Sequence, residues 1–177
     1  MEGNIANMLS WAAPEGAKQA LVKKLLCALD RPGHLMKHLL SEEDREFKRL
    51  VESCELHAAD FDHRAHIRLA YVYLAGNSTD ESVHLMRDAL TALLRQAGVD
   101  PSQKYHETLT EAWILAVNHF MKNTNGSQSA DDFIEKNIVM LNSKIMMTHY
   151  SAEVLFSDAA RKAFVEPNLD PIPRHSE

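Results

Sequence analysis

The sequence predicts an all-α protein, a single compact bundle of six to eight short helices. Three observations predict it. Apolar residues recur three and four apart through one segment after another, and no strand-like alternation of apolar and polar residues competes. Serine or aspartate stands just ahead of most of these segments, often with acids following, which is the pattern of a capped helix N-terminus. Six glycines and six prolines in 177 residues are too few for a turn-rich β-sandwich.

Each element has a local reason. Residues 15–29 (EGAKQALVKKLLCAL) set Ala20, Leu21, Leu25, Cys27 and Leu29 near one broad stripe with lysines opposite, and Pro32-Gly33 ends the run. Ser41 with Glu42, Glu43 and Asp44 opens a helix expected to reach about His57 and to bury Phe47, Leu50, Val51 and Cys54. After a break at 58–62, a third helix runs from about Asp62 to Ala75, where Gly76 is a natural stop. Ser78-Thr79-Asp80-Glu81 opens a fourth, to about Ala97, closed by Gly98. Asp100-Pro101 starts a fifth, expected to continue unbroken to about Lys122. In it Trp113, Ile114, Val117 and Phe120 form a core stripe, and His119 falls on another face as a structural residue. The stretch 123–129 (NTNGSQS) is a loop. Ser129 caps a helix to about Leu141, a short piece covers 143–149, and Ser151 with Glu153 starts a last helix to about Phe164. The proline-rich tail from about 166 is expected to be extended. Residues 1–35 read as a helical arm or hairpin, and 36–177 as the core domain.

Composition narrows the function. With 45% apolar and 25% charged residues the chain is of ordinary soluble globular type, and a net charge of −6 argues against a nucleic-acid surface. No apolar run is long enough for a membrane span, and Lys23-Lys24 is too small a basic patch for membrane docking. The N-terminus lacks the basic start and apolar stretch of a signal peptide. Cys27 and Cys54 lie outside any C-x-x-C pair and read as buried free thiols, which fits a reducing cytoplasm. No glycine-rich phosphate loop, nucleotide fingerprint or nucleophile elbow is present, so nothing points to a nucleotide or flavin.

The ten histidines stand out, and two strings stand out among them: Phe61-Asp62-His63-Arg64-Ala65-His66 and Lys104-Tyr105-His106-Glu107-Thr108. His63 and His66 are spaced i, i+3, so on a helix they share a face one turn apart. In a first turn the local positive potential favours neutral imidazole, the form that ligates a metal. Asp60 can add an oxygen or cap the helix. If the third and fifth helices pack together, His63, His66 and His106 meet as ligands of one zinc, iron or manganese ion with an open position. Glu107 then serves as general acid/base or fourth ligand, Arg64 clamps an anionic substrate group, and Tyr105 supplies a phenol. The plain alternative leaves His63 and Arg64 solvated, His66 half-buried and His106 bonded to a backbone carbonyl. There is no H-E-x-x-H, and Glu81-Ser82-Val83-His84 is the one E-x-x-H unit where a di-iron bundle needs two. Met140, Met146 and Met147 are read as gap-filling core, or as the wall of an apolar pocket.

The two strings resemble F-x-H-R-x-H-L and K-Y-H-E-T motifs of a family of small uncharacterised helical proteins, mostly bacterial. The ending is similar too, with Tyr150-Ser151, Ala160-Arg161 and Phe164-Val165-x-Pro167. Ile67 stands where the family pattern has Leu, and His149-Tyr150 where it has Tyr-Tyr. The resemblance spans roughly residues 40–173 and implies a shared site rather than a named reaction.

These readings lead to a small metal-dependent enzyme acting on a small organic, anionic substrate, with lyase, hydrolase, isomerase and oxygenase chemistry all open. A metal-free acid/base pocket built from the same residues is a variant of it. The alternative is a non-catalytic helical module that associates with a partner or with itself as a homodimer through Ala20, Leu21, Leu25 and Cys27.

Overall fold

A computed structural model describes residues 38–175. They lie in one compact unit, Met36–Glu177. The expected arm at 1–35, with its stripe and Cys27, lies outside the described residues. Among the described residues every regular element is helical, and no helix is long and apolar enough to cross a membrane.

The α-helices are α1 Glu42–Glu52, α2 His63–Leu74, α3 Thr79–Gln96, α4 Pro101–Lys104, α5 Glu107–Asn123, α6 Ala130–Lys136, α7 Ala152–Leu155 and α8 Asp158–Lys162, with 3₁₀ turns at Ala58–Asp60, Ile138–Leu141 and Ser143–Thr148. Helices α2, α3 and α5 pack against one another and form the frame. The first core cluster includes Val51, Ile67, Leu69, Tyr71, Met86, Ile114, Val117 and Phe133. A second gathers Ala112, Leu115, Ala116, Met146, Tyr150, Leu155 and Ile172. Helix α5 therefore buries side chains toward both clusters, as expected of a helix in the middle of a bundle.

The expected caps form. Ser41, Asp62, Ser78 and Ser129 each accept a backbone N–H from three residues on, a contact worth about 1 kcal/mol. Asp62, not Asp60, caps α2; Asp60 is exposed in the 3₁₀ turn before it. Asp44 does more than complete the capping box of α1. It is fully buried, takes the N–H groups of Ser41 and Ala130, and pairs with Arg68 at 2.9 Å, tying α1, α2 and the start of α6 together.

Four boundaries differ from the sequence expectation, each for a visible reason. Helix α1 stops at Glu52, and the N–H groups of Glu55 and Leu56 both return to the Leu50 carbonyl. That turn puts Cys54 at φ 57°, half-buried and past the helix end, not on a helix face. Helix α6 ends at Lys136 because the Asn137 amide bonds the Phe133 carbonyl and the Thr124 hydroxyl, competing with helix continuation. The last expected helix is split into α7 and α8, with the Ser157 hydroxyl capping the second piece. The fifth is split at Tyr105-His106 into α4 and α5, and that break shapes the site.

Candidate functional site

Helices α2 and α5 pack side by side, so the two singled-out strings arrive at one place. A cavity of about 640 Å³ is lined there by His63 and His66 from the first turns of α2 and by Tyr105 and His106 from the α4–α5 junction. Its floor is mostly apolar, with buried Met86, Leu93, Met146 and Leu155 beside Thr110 and His106, and Trp113, Leu90, Leu109 and Phe61 add to the walls. This is a size and character usual for a small-molecule site. Met146 and Met147 both line the cavity, the first buried and the second exposed, whereas Met140 packs in the first core cluster. Trp113, expected as core, is half-buried between the two clusters and faces the cavity, with its ring edge-on to His63 at 4.7 Å.

The imidazoles are fixed by backbone carbonyls, and this fixes their protons. A carbonyl only accepts, so the ring nitrogen facing it carries hydrogen. His63 Nε2 donates to the Met140 carbonyl at 2.9 Å, so neutral His63 has its lone pair on Nδ1. His66 Nδ1 donates to the Asp62 carbonyl at 2.9 Å, so neutral His66 has its lone pair on Nε2. Burial holds the His66 pKa below the usual imidazole value, opposed by its bond to Asp62 and aided by His63.

His106 is occupied on both sides. Its Nδ1 accepts the Leu109 N–H at 3.3 Å as the N-cap of α5, and Nε2 donates to the Leu155 carbonyl at 2.8 Å. That carbonyl ends the short α7 and has no later turn to bond, so the ring serves two helix ends at once. Burial lowers the His106 pKa, and the Arg161 guanidinium adds to this. Arg161 also donates to the Tyr105 carbonyl, which helps hold the break open.

The expected three-histidine metal set is thus not assembled. Two of the three rings keep one nitrogen free, and the third keeps none. Among the described residues no group of three or more His, Cys, Asp or Glu side chains is placed to hold an ion. Glu107 does not line the cavity. It is buried, both its oxygens face the Arg87 guanidinium, and Tyr105 donates its hydroxyl to Oε2 at 3.1 Å. It therefore positions Tyr105 and has no oxygen spare for a ligand role. Burial, with Glu107 adding, raises the Tyr105 phenol to about 12, so it stays protonated. Arg64 also lies off the cavity and pairs with Asp131 at 2.7 Å, both side chains exposed. His119 stacks on His175, as a structural histidine would.

Three participants escaped the sequence reading. Arg87, the partner of Glu107, carried no signal on its surface-like helix. Lys104 lies inside the second string, but a lone lysine there carries no signal of its own. Lys144 reaches the rim from the 3₁₀ turn at Ser143–Thr148, far away in sequence. Comparison with protein-family models, with curated proteins and with solved structures finds no match to this chain.

Proposed function

We propose that this chain is a small enzyme that binds a mostly apolar organic molecule in the α2–α5 cavity and moves a proton on it with His66, aided by His63. One observation carries the reading. Two imidazoles in a single apolar cavity each have one nitrogen tied to a backbone carbonyl, which leaves the other as the lone-pair nitrogen of the neutral ring. A ring held this way is a ready general base, and the lowered pKa of His66 keeps it in the basic form near neutrality. Tyr105, kept protonated and aimed at Glu107, presents its oxygen as an acceptor to a bound molecule. His106 holds the junction and takes no proton from the substrate. A metal-dependent form of the same enzyme would need His106 to leave both backbone partners.

The test starts from a ligand screen. Full-length protein is screened against small aromatic and aliphatic carbonyl compounds by ligand-observed NMR. Hits are then incubated in D₂O and followed for deuterium uptake next to the carbonyl. Uptake by the wild type that survives chelation and is lost in His66→Gln, with the fold retained, is the expected result. Uptake that persists in His66→Gln sinks the proposed base. Uptake abolished by chelator and restored by one divalent metal would favour the ion-dependent form instead. The absence of any ligand that perturbs Trp113 would remove the cavity reading altogether.

A further inference from the structure

The charges around the cavity do not follow those of the chain. The whole sequence carries −6, yet the lining has two lysines, Lys104 and Lys144, against a single carboxylate, Asp62. Asp62 is engaged, since its Oδ1 accepts the Ala65 N–H as the cap of α2. Neither lysine ammonium has an acidic partner among the described residues, whereas Arg64, Arg68, Arg87 and Lys136 are all paired. Both lysines are exposed, which for a lining residue means the rim, while Met86, Leu93, Met146 and Leu155 in the same lining are buried. Exposed Met147 and Phe156 extend the apolar surface out to that rim. The lining thus grades in polarity with exposure: mostly apolar where it is buried, with His106 and Thr110 the polar members there, His63 and His66 half-buried, and the two lysines with Asp62 exposed at the opening.

From this polarity we infer that the cavity takes a free amphiphilic organic anion, its apolar body against the floor and its carboxylate or similar head at the rim against Lys104 and Lys144. The inference rests on reading the cavity as a ligand site and replaces Arg64 as the expected anion clamp. Two exposed ammonium groups contribute modestly. At about 0.2–1 kcal/mol for each of two exposed charge pairs, the head should gain roughly twofold to thirtyfold in affinity over a neutral one. The gain should shrink with salt, because rim charges are screened.

Isothermal titration of the full-length protein with decanoate, decanamide and decyltrimethylammonium tests it, together with vesicles of anionic phospholipid. Decanoate should bind several-fold tighter than decanamide, and the cation weakest. In Lys104→Gln/Lys144→Gln the decanoate advantage should vanish while decanamide affinity stays. Both positions are exposed and unpaired, so this variant should keep its far-UV circular dichroism. Equal binding of decanoate and decanamide, or an advantage that survives the double variant, overturns the head-group assignment and leaves the cavity reading standing. Binding to vesicles without binding of decanoate monomers overturns it in favour of a membrane surface. Failure of all three soluble probes to bind removes both the inference and the ligand site beneath it.

Discussion

Replacing His106 separates the two roles this residue can have. In the structure its ring is a helix cap and a bridge, so His106→Ala removes three things. It removes the N-cap bond to the Leu109 N–H, worth about 1 kcal/mol. It also leaves the Leu155 carbonyl, on a residue 2% exposed, without its partner, at a cost of about 1–3 kcal/mol. Some packing of a ring that is only 8% exposed is lost as well. A loss of about 2–4 kcal/mol in unfolding free energy follows. His106→Asn should recover about 1 kcal/mol of it, since the shorter amide still caps but falls short of Leu155. A pH signature follows too. The folded-state pKa is lowered, so between it and the ordinary value of 6.5 the unfolded chain binds the extra proton. This contribution to stability is fully present above 6.5 and is lost as pH falls through the lowered folded value. Urea unfolding followed by far-UV circular dichroism across mildly acidic to neutral pH measures all of this. A His106→Ala variant as stable as the wild type, with unchanged acid sensitivity, would refute the capping role. So would a variant that folds normally but loses a stoichiometric metal carried by the wild type.

Three further outcomes are expected. Asp44→Ala should cost about 3–5 kcal/mol, because it strands the Arg68 charge and two backbone N–H groups in a buried place; a urea midpoint near the wild-type value would contradict this. Arg64→Ala breaks only an exposed pair, so stability should change by less than about 1 kcal/mol, and ligand affinity should not change; a marked loss of affinity would return Arg64 to the site. Deuterium uptake catalysed through His66 should be flat at neutral pH and fall only below the ordinary imidazole value of 6.5, since burial lowers its pKa and the basic form persists into mild acid. Uptake that declines already above that value would show His66 more basic than its burial requires.

The difference between α2 and α5 shows what was legible. The helical pattern and the Ser41, Asp62, Ser78 and Ser129 caps act within a turn or two of their own residues, so the sequence alone determined the all-helical fold and the starts of α1, α2, α3 and α6. It also placed His63 and His66 on one face of α2, because spacing within a helix is geometry and needs no partner. The break at Tyr105-His106 was not legible. Both flanks have helical pattern, and the cap is an imidazole held in place by the Leu155 carbonyl, 49 residues away. In the same way Asp131 took Arg64, Arg87 took Glu107, and the turn at Ser143–Thr148 brought Lys144 to the rim. Those choices were made only by the tertiary structure. A polar side chain entering a packed interior must bond whichever group the packing sets beside it, and that neighbour comes from elsewhere in the chain.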